Sequence, residues 1–76
     1  MFELPKALAE RGWGVQSYIS TPSVERAVIK LRKTTDTLPP SEATIISATL
    51  GNDGWKLLSW FPTPDYHTVV LEKKVL

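Results

Sequence analysis

The stretch LGNDGWKLLSWFPTPDYHTVVLEKKV, residues 50–75, decides the fold, because residues 8–33, LAERGWGVQSYISTPSVERAVIKLRK, match it 42 positions earlier without a gap. Leu8 meets Leu50, Gly12-Trp13 meets Gly54-Trp55, Ser17 meets Ser59, Thr21-Pro22 meets Thr63-Pro64 and Val28 meets Val70. That makes seven identities in 26 aligned positions, where unrelated segments give roughly one or two. Similar residues fill in between: Val15 with Leu57, Tyr18 with Trp60, Ile19 with Phe61, Ala27 with Val69 and Ile29 with Leu71. A repeat implies that each copy takes the same local structure.

At 76 residues the chain reads as one domain, with repeats over 1–33 and 41–75 joined by the polar linker 34–40. So short a chain buries only about 60–65% of its unfolded surface, so its core is small. It has no cysteine to add disulfides or zinc thiolates. Nine basic and eight acidic side chains leave a net charge of +1, too balanced to point to nucleic acid or an anionic membrane. No apolar run approaches the about 20 residues of a membrane span. The start Met1-Phe2-Glu3-Leu4-Pro5 lacks a basic-then-apolar leader pattern, so the expected location is the cytoplasm.

Each copy opens with a short helix, expected over 3–11 and 41–51. Ser41 is the expected cap of the second, and Ile45, Ile46, Ala48 and Leu50 supply its apolar stripe. Glycines at 12 and 54 are expected to take the left-handed conformation that stops a helix, with each following indole packing over the helix–sheet seam. Alternation of period two follows over 13–20 and 55–61. Thr-Pro turns then lead into second strands at 24–33 and 66–75. The order αββ-αββ predicts an α+β domain, a four-stranded antiparallel sheet with two helices on one face. The second strands are placed in the centre and the Gly-Trp strands at the edges. This is a ferredoxin-like topology with its first strand moved to the end.

Unbroken alternation puts Val15, Ile19, Leu57, Phe61, Ala27, Ile29, Val69 and Leu71 under the helices, along with the small Ser17 and Ser59. The open face should then be polar, yet Tyr18, Val28, Leu58, Trp60 and Val70 fall on it beside Arg26, Lys30 and Arg32. These eight residues are the candidate binding surface, the apolar ones as anchors and the basic ones as the charged surround.

Candidate chemistry is sparse. His67, the only histidine, follows Asp65-Tyr66 at a strand start, where a solvated surface role is expected. No recognised metal-ligand spacing, cofactor motif or catalytic constellation is visible, so no metal, no cofactor and no enzymatic activity are expected. Gly51-Asn52-Asp53-Gly54 follows a helix where a phosphate cradle would precede one. The cluster Arg26, Lys30, Arg32 and Lys33 raises single-stranded nucleic acid, but the aromatics are expected on the edge strands rather than beside those charges, and the second copy has Glu72 in place of Lys30.

Asn52-Asp53-Gly54-Trp55-Lys56-Leu57-Leu58-Ser59 resembles the signature of a family of small bacterial domains of unknown function. In that family a helix and a turn run into a Gly-Trp-Glu-Leu-Val-Ser-like strand. The resemblance covers about residues 42–75, with Lys56 where the family has Glu. In the first copy Gly14 and Gln16 depart from the pattern. The resemblance implies a compact α+β unit and brings no active site with it.

The resulting expectation is a small non-enzymatic accessory or regulatory protein. It would bind a protein partner, or itself as a homo-oligomer, through the open sheet face. The alternative is a small-ligand or single-stranded nucleic-acid module using the same face. An edge strand could pair with another chain instead. Small bacterial and phage regulators are often built this way, an analogy only.

Overall fold

The computed structural model describes residues 2–75. It contains α1 (Lys6–Ala9), β1 (Gly14–Ser20), β2 (Val24–Arg32), α2 (Pro40–Leu50), a 3-10 turn (Gly51–Asp53), β3 (Trp55–Pro62) and β4 (Tyr66–Lys74). The four strands form one antiparallel sheet in the order β1-β2-β4-β3. The class is α+β, with the sheet one layer and the helices the other.

The first helix is shorter than expected, a single turn over Lys6–Ala9. Pro5 stands at its N-cap, and a proline disfavours helical backbone in the residue before it, so the turn cannot extend back through Leu4. At its other end Gly12 (φ 102°) reverses the chain. Gly12 N–H donates to the Ala9 carbonyl and Trp13 N–H to that of Leu8, both at 3.1 Å, the paired bonds of a glycine-terminated helix.

In α2, Pro39 occupies the N-cap and Pro40 the first helical position, so Ser41 lies inside the first turn and makes no capping bond. A proline needs no N–H partner there, which removes one reason for a side-chain cap. Glu42, Ile46 and Leu50 are buried, and the four-residue spacing puts them on one face. Gly54 (φ 90°) ends the following 3-10 turn.

The central pair β2/β4 runs without irregularity from Val24↔Lys74 to Arg32↔Tyr66. Both edge strands carry a bulge, at Gln16 in β1 and at Leu58 in β3. Each hairpin is closed by a threonine: Thr21 N–H donates to the Val24 carbonyl at 2.8 Å, and Thr63 N–H to that of Tyr66 at 2.7 Å. The core consists of Leu8, Trp13, Ala27, Ile29, Ile46, Leu50, Trp55, Val69 and Leu71.

The bulges correct the expected assignment of faces. Directly paired residues of an antiparallel ladder point to the same side. Tyr18 pairs with Ala27, and Trp60 with Val69; both partners are fully buried core residues. Tyr18 and Trp60 therefore belong to the helix-covered face. Ile19 pairs with Arg26 and Phe61 with Thr68, on the open face, where they are 62% and 48% exposed rather than buried. Ser17 and Ser59, opposite Val28 and Val70, are likewise on the open face and do not make room for a helix. One extra residue in each edge strand shifts every later side chain to the other face.

His67 also departs from expectation: it is 1% exposed, not solvated. The uninterrupted alternation of β4 puts it on the helix-covered face with Val69 and Leu71, and the Trp60 indole reaches it from β3.

Candidate functional site

The open face is built by four strands whose register places the side chains in rows. The middle row is Ser17, Val28, Val70 and Ser59. One neighbouring row holds Ile19, Arg26, Glu72 and Lys56, and the other Gly14, Lys30, Thr68 and Phe61. Val24 with Lys74, and Arg32 with Tyr66, close the two ends.

Two features stand out, of which strand alternation alone does not show the first. First, Ile19, Val28, Val70 and Phe61 form one apolar diagonal from edge to edge, with Val28 and Val70 half-buried at its centre and Ile19 and Phe61 exposed at its ends. Second, charge is segregated. Five of the nine basic residues (Arg26, Lys30, Arg32, Lys56 and Lys74) lie on this face, against one of the eight acidic residues, Glu72. The Arg26 Nε donates to a Glu72 oxygen at 2.9 Å, and the Lys30 ammonium sits 4.6 Å from the centre of the Tyr66 ring, a cation–π distance. On the helix side, a cleft of about 260 Å³ beside Trp55 is rimmed by Glu3, Glu25, Asp53 and Lys73.

Of the expected surface residues, Val28, Val70, Arg26, Lys30 and Arg32 are together on the open face. Leu58 occupies the β3 bulge, 49% exposed. Tyr18 instead stacks on Phe2 in the helix layer, and its hydroxyl donates to the Glu25 carboxylate; that bond holds the phenol above its ordinary ionisation range. The Trp60 indole N–H donates to His67 Nδ1 at 3.3 Å. Residues that the sequence reading missed are Ile19, Phe61 and Tyr66, whereas period two already places Lys56 and Lys74 on this face. For Phe61 the adjacent leucines 57 and 58 carried a signal, because two large apolar residues in succession break period two where the β3 bulge sits; the β1 bulge at Gln16 has no such mark.

The other polar constellation joins α2 to the segment before β1. The buried Glu42 carboxylate accepts the Trp13 indole N–H at 2.9 Å and Arg11 Nε at 3.0 and 3.1 Å, and it also contacts an Arg11 Nη2. The Arg11 hydrogen bond, with a smaller share from Trp13, holds Glu42 below its ordinary ionisation range against the opposing effect of burial. All donors converge on one carboxylate between two packed elements, an arrangement that fastens them together.

Among the described residues no cluster of three or more His, Cys, Asp or Glu side chains is placed to hold a metal ion. Among the same residues no helix is long and apolar enough to cross a membrane. No protein-family model, no curated protein and no solved structure matches this chain.

Proposed function

We propose that this chain is a small non-enzymatic binding protein whose working surface is the open face of its sheet. The observation that carries the reading is the apolar diagonal Ile19–Val28–Val70–Phe61, left without a second layer and flanked by basic side chains. A bare sheet face that served only as a solvated surface would alternate to polar residues. A contiguous apolar patch rimmed by charge is the usual mark of an interaction site. The edges are poorer candidates, because a bulge interrupts each edge strand and Pro62 ends β3, devices that hinder strand addition.

Two open faces stacked on one another would bring ten cations and two carboxylates together, which favours a different protein over the second copy also expected from the sequence. Light scattering across a wide concentration range is expected to give the monomer mass. Proteins retained from native lysate by the wild type, and lost by an equally folded Phe61→Ser/Val70→Thr variant, would support the reading. Equal retention by both would overturn it.

The same proposal extends to the origin of the fold: two αββ units from a duplication, in a ferredoxin-like arrangement with the first strand moved to the end. Its support is the offset of 42 positions that relates the bulges at 16 and 58, the positive-φ glycines 12 and 54, and the closing threonines 21 and 63. The same offset makes Val28 its own counterpart's partner, since Val28 pairs with Val70. The resemblance of residues 42–75 to small bacterial Gly-Trp domains is part of this proposal.

A further inference from the structure

Resting on the reading of the open face as the working surface, we infer that its occupant is an acidic amphipathic helix of a partner protein, laid along the Ile19–Val28–Val70–Phe61 diagonal. The diagonal crosses three strand spacings and four residue steps, a length of about 20 Å, which matches a helix of about 13 residues. Four apolar anchors along such a length suit one helix face with positions near i, i+4, i+7 and i+11. Cations flank the stripe on both sides, Arg26, Lys56 and Lys74 on one, where Glu72 lies paired to Arg26, and Lys30 and Arg32 on the other. Carboxylates on the two flanks of a helix would therefore meet an excess of opposite charge on both sides.

Other occupants fit less well. An extended peptide lying on an apolar face would leave backbone N–H and C=O groups unpaired, whereas a helix satisfies its own. Single-stranded nucleic acid relies on stacking against aromatic faces, but three of the four side chains in the stripe are aliphatic, and Lys30 already covers the Tyr66 ring.

The test is an NMR titration of the full 15N-labelled chain. The probe is a synthetic peptide of about 14 residues with leucine at the four anchor positions and glutamate on both flanks, a length set by the stripe. A counterpart carries lysine for every glutamate. The glutamate peptide is expected to shift the amides of Ile19, Val28, Val70 and Phe61, and to bind more weakly as salt rises. Arg32→Gln/Lys56→Gln, both at exposed positions, should weaken it about fivefold, and Phe61→Ser about tenfold. Failure of the glutamate peptide to bind at about 1 mM, an affinity too weak to be specific, overturns the inference, as does equal binding of the lysine peptide. If oligo-dT or phosphatidylglycerol vesicles shift these amides while the glutamate peptide does not, the face is still the working surface and the helical occupant is wrong. If none of the probes shifts them, the reading of the face fails as well.

Discussion

The indole of Trp13 donates to Glu42 across 29 residues of sequence at 2.9 Å, so the segment entering β1 is fastened to the first turn of α2. Arg11 completes the contact from the exposed side. A carboxylate in the first helical turn also faces the positive end of the helix dipole, which favours its charged form.

This contact sets a pH dependence. Glu42 ionises below its ordinary value of 4.5 in the folded chain, so the stability it contributes is complete above that value and is lost as pH falls through the lower folded one. Thermal unfolding from pH 7 to pH 2 should show a drop on the acid side that is shallower in Glu42→Gln. Glu42→Ala at pH 7 should cost about 1–3 kcal/mol, because the buried Trp13 N–H is left without an acceptor. An identical acid profile in wild type and Glu42→Gln would show that the contact contributes nothing to the titration.

His67 and Trp60 make a second testable pair. Because His67 is 1% exposed, removing its ring in His67→Ala leaves a cavity and should cost about 2–4 kcal/mol in urea unfolding. Trp60→Phe keeps an aromatic ring but loses the 3.3 Å hydrogen bond to His67 Nδ1 and part of the indole's contact with that ring, a change of about 1–2 kcal/mol. Equal losses from the two substitutions would contradict the burial of the imidazole.

Deleting Leu58 tests the bulge directly. The register pairs Leu57 with Leu71 and Ser59 with Val70, so the deletion removes the extra residue and leaves the pairings on either side intact. The shortened chain should fold with stability within about 2 kcal/mol of wild type in urea unfolding. Its straightened edge should promote association at high concentration. Unfolding of the deletion variant would argue for a regular strand, in which every later residue had changed face.

A chain carrying residues 34–76 twice, in place of the natural order, examines the proposed duplication. If the halves are structurally equivalent, it should unfold cooperatively with a strand content like that of the natural chain. A molten, non-cooperative product would show that the halves are not interchangeable.

Much of the architecture is legible in the sequence, and the reasons are local. Gly12 and Gly54 adopt the positive φ expected of glycines that end a helix. The Thr-Pro pairs lie in the hairpin loops, and β2 and β4, both rich in β-branched residues, form the centre of the sheet. The candidate surface was legible only in part. Val28, Val70, Arg26, Lys30 and Arg32 sit on unbroken strands, where period two holds. Tyr18 and Trp60 lie beyond the bulges, where one added residue exchanges them with Ile19 and Phe61.

By itself, then, the sequence determined the order of elements, the turns and the two Gly-Trp junctions, because each depends on backbone preferences within a few residues. Only the tertiary structure decided which edge-strand side chains beyond the bulges share a face with Val28 and Val70, and that Glu42 meets Trp13. Those relationships depend on register between strands and on helix docking, where a single extra residue changes the outcome and no local preference records it.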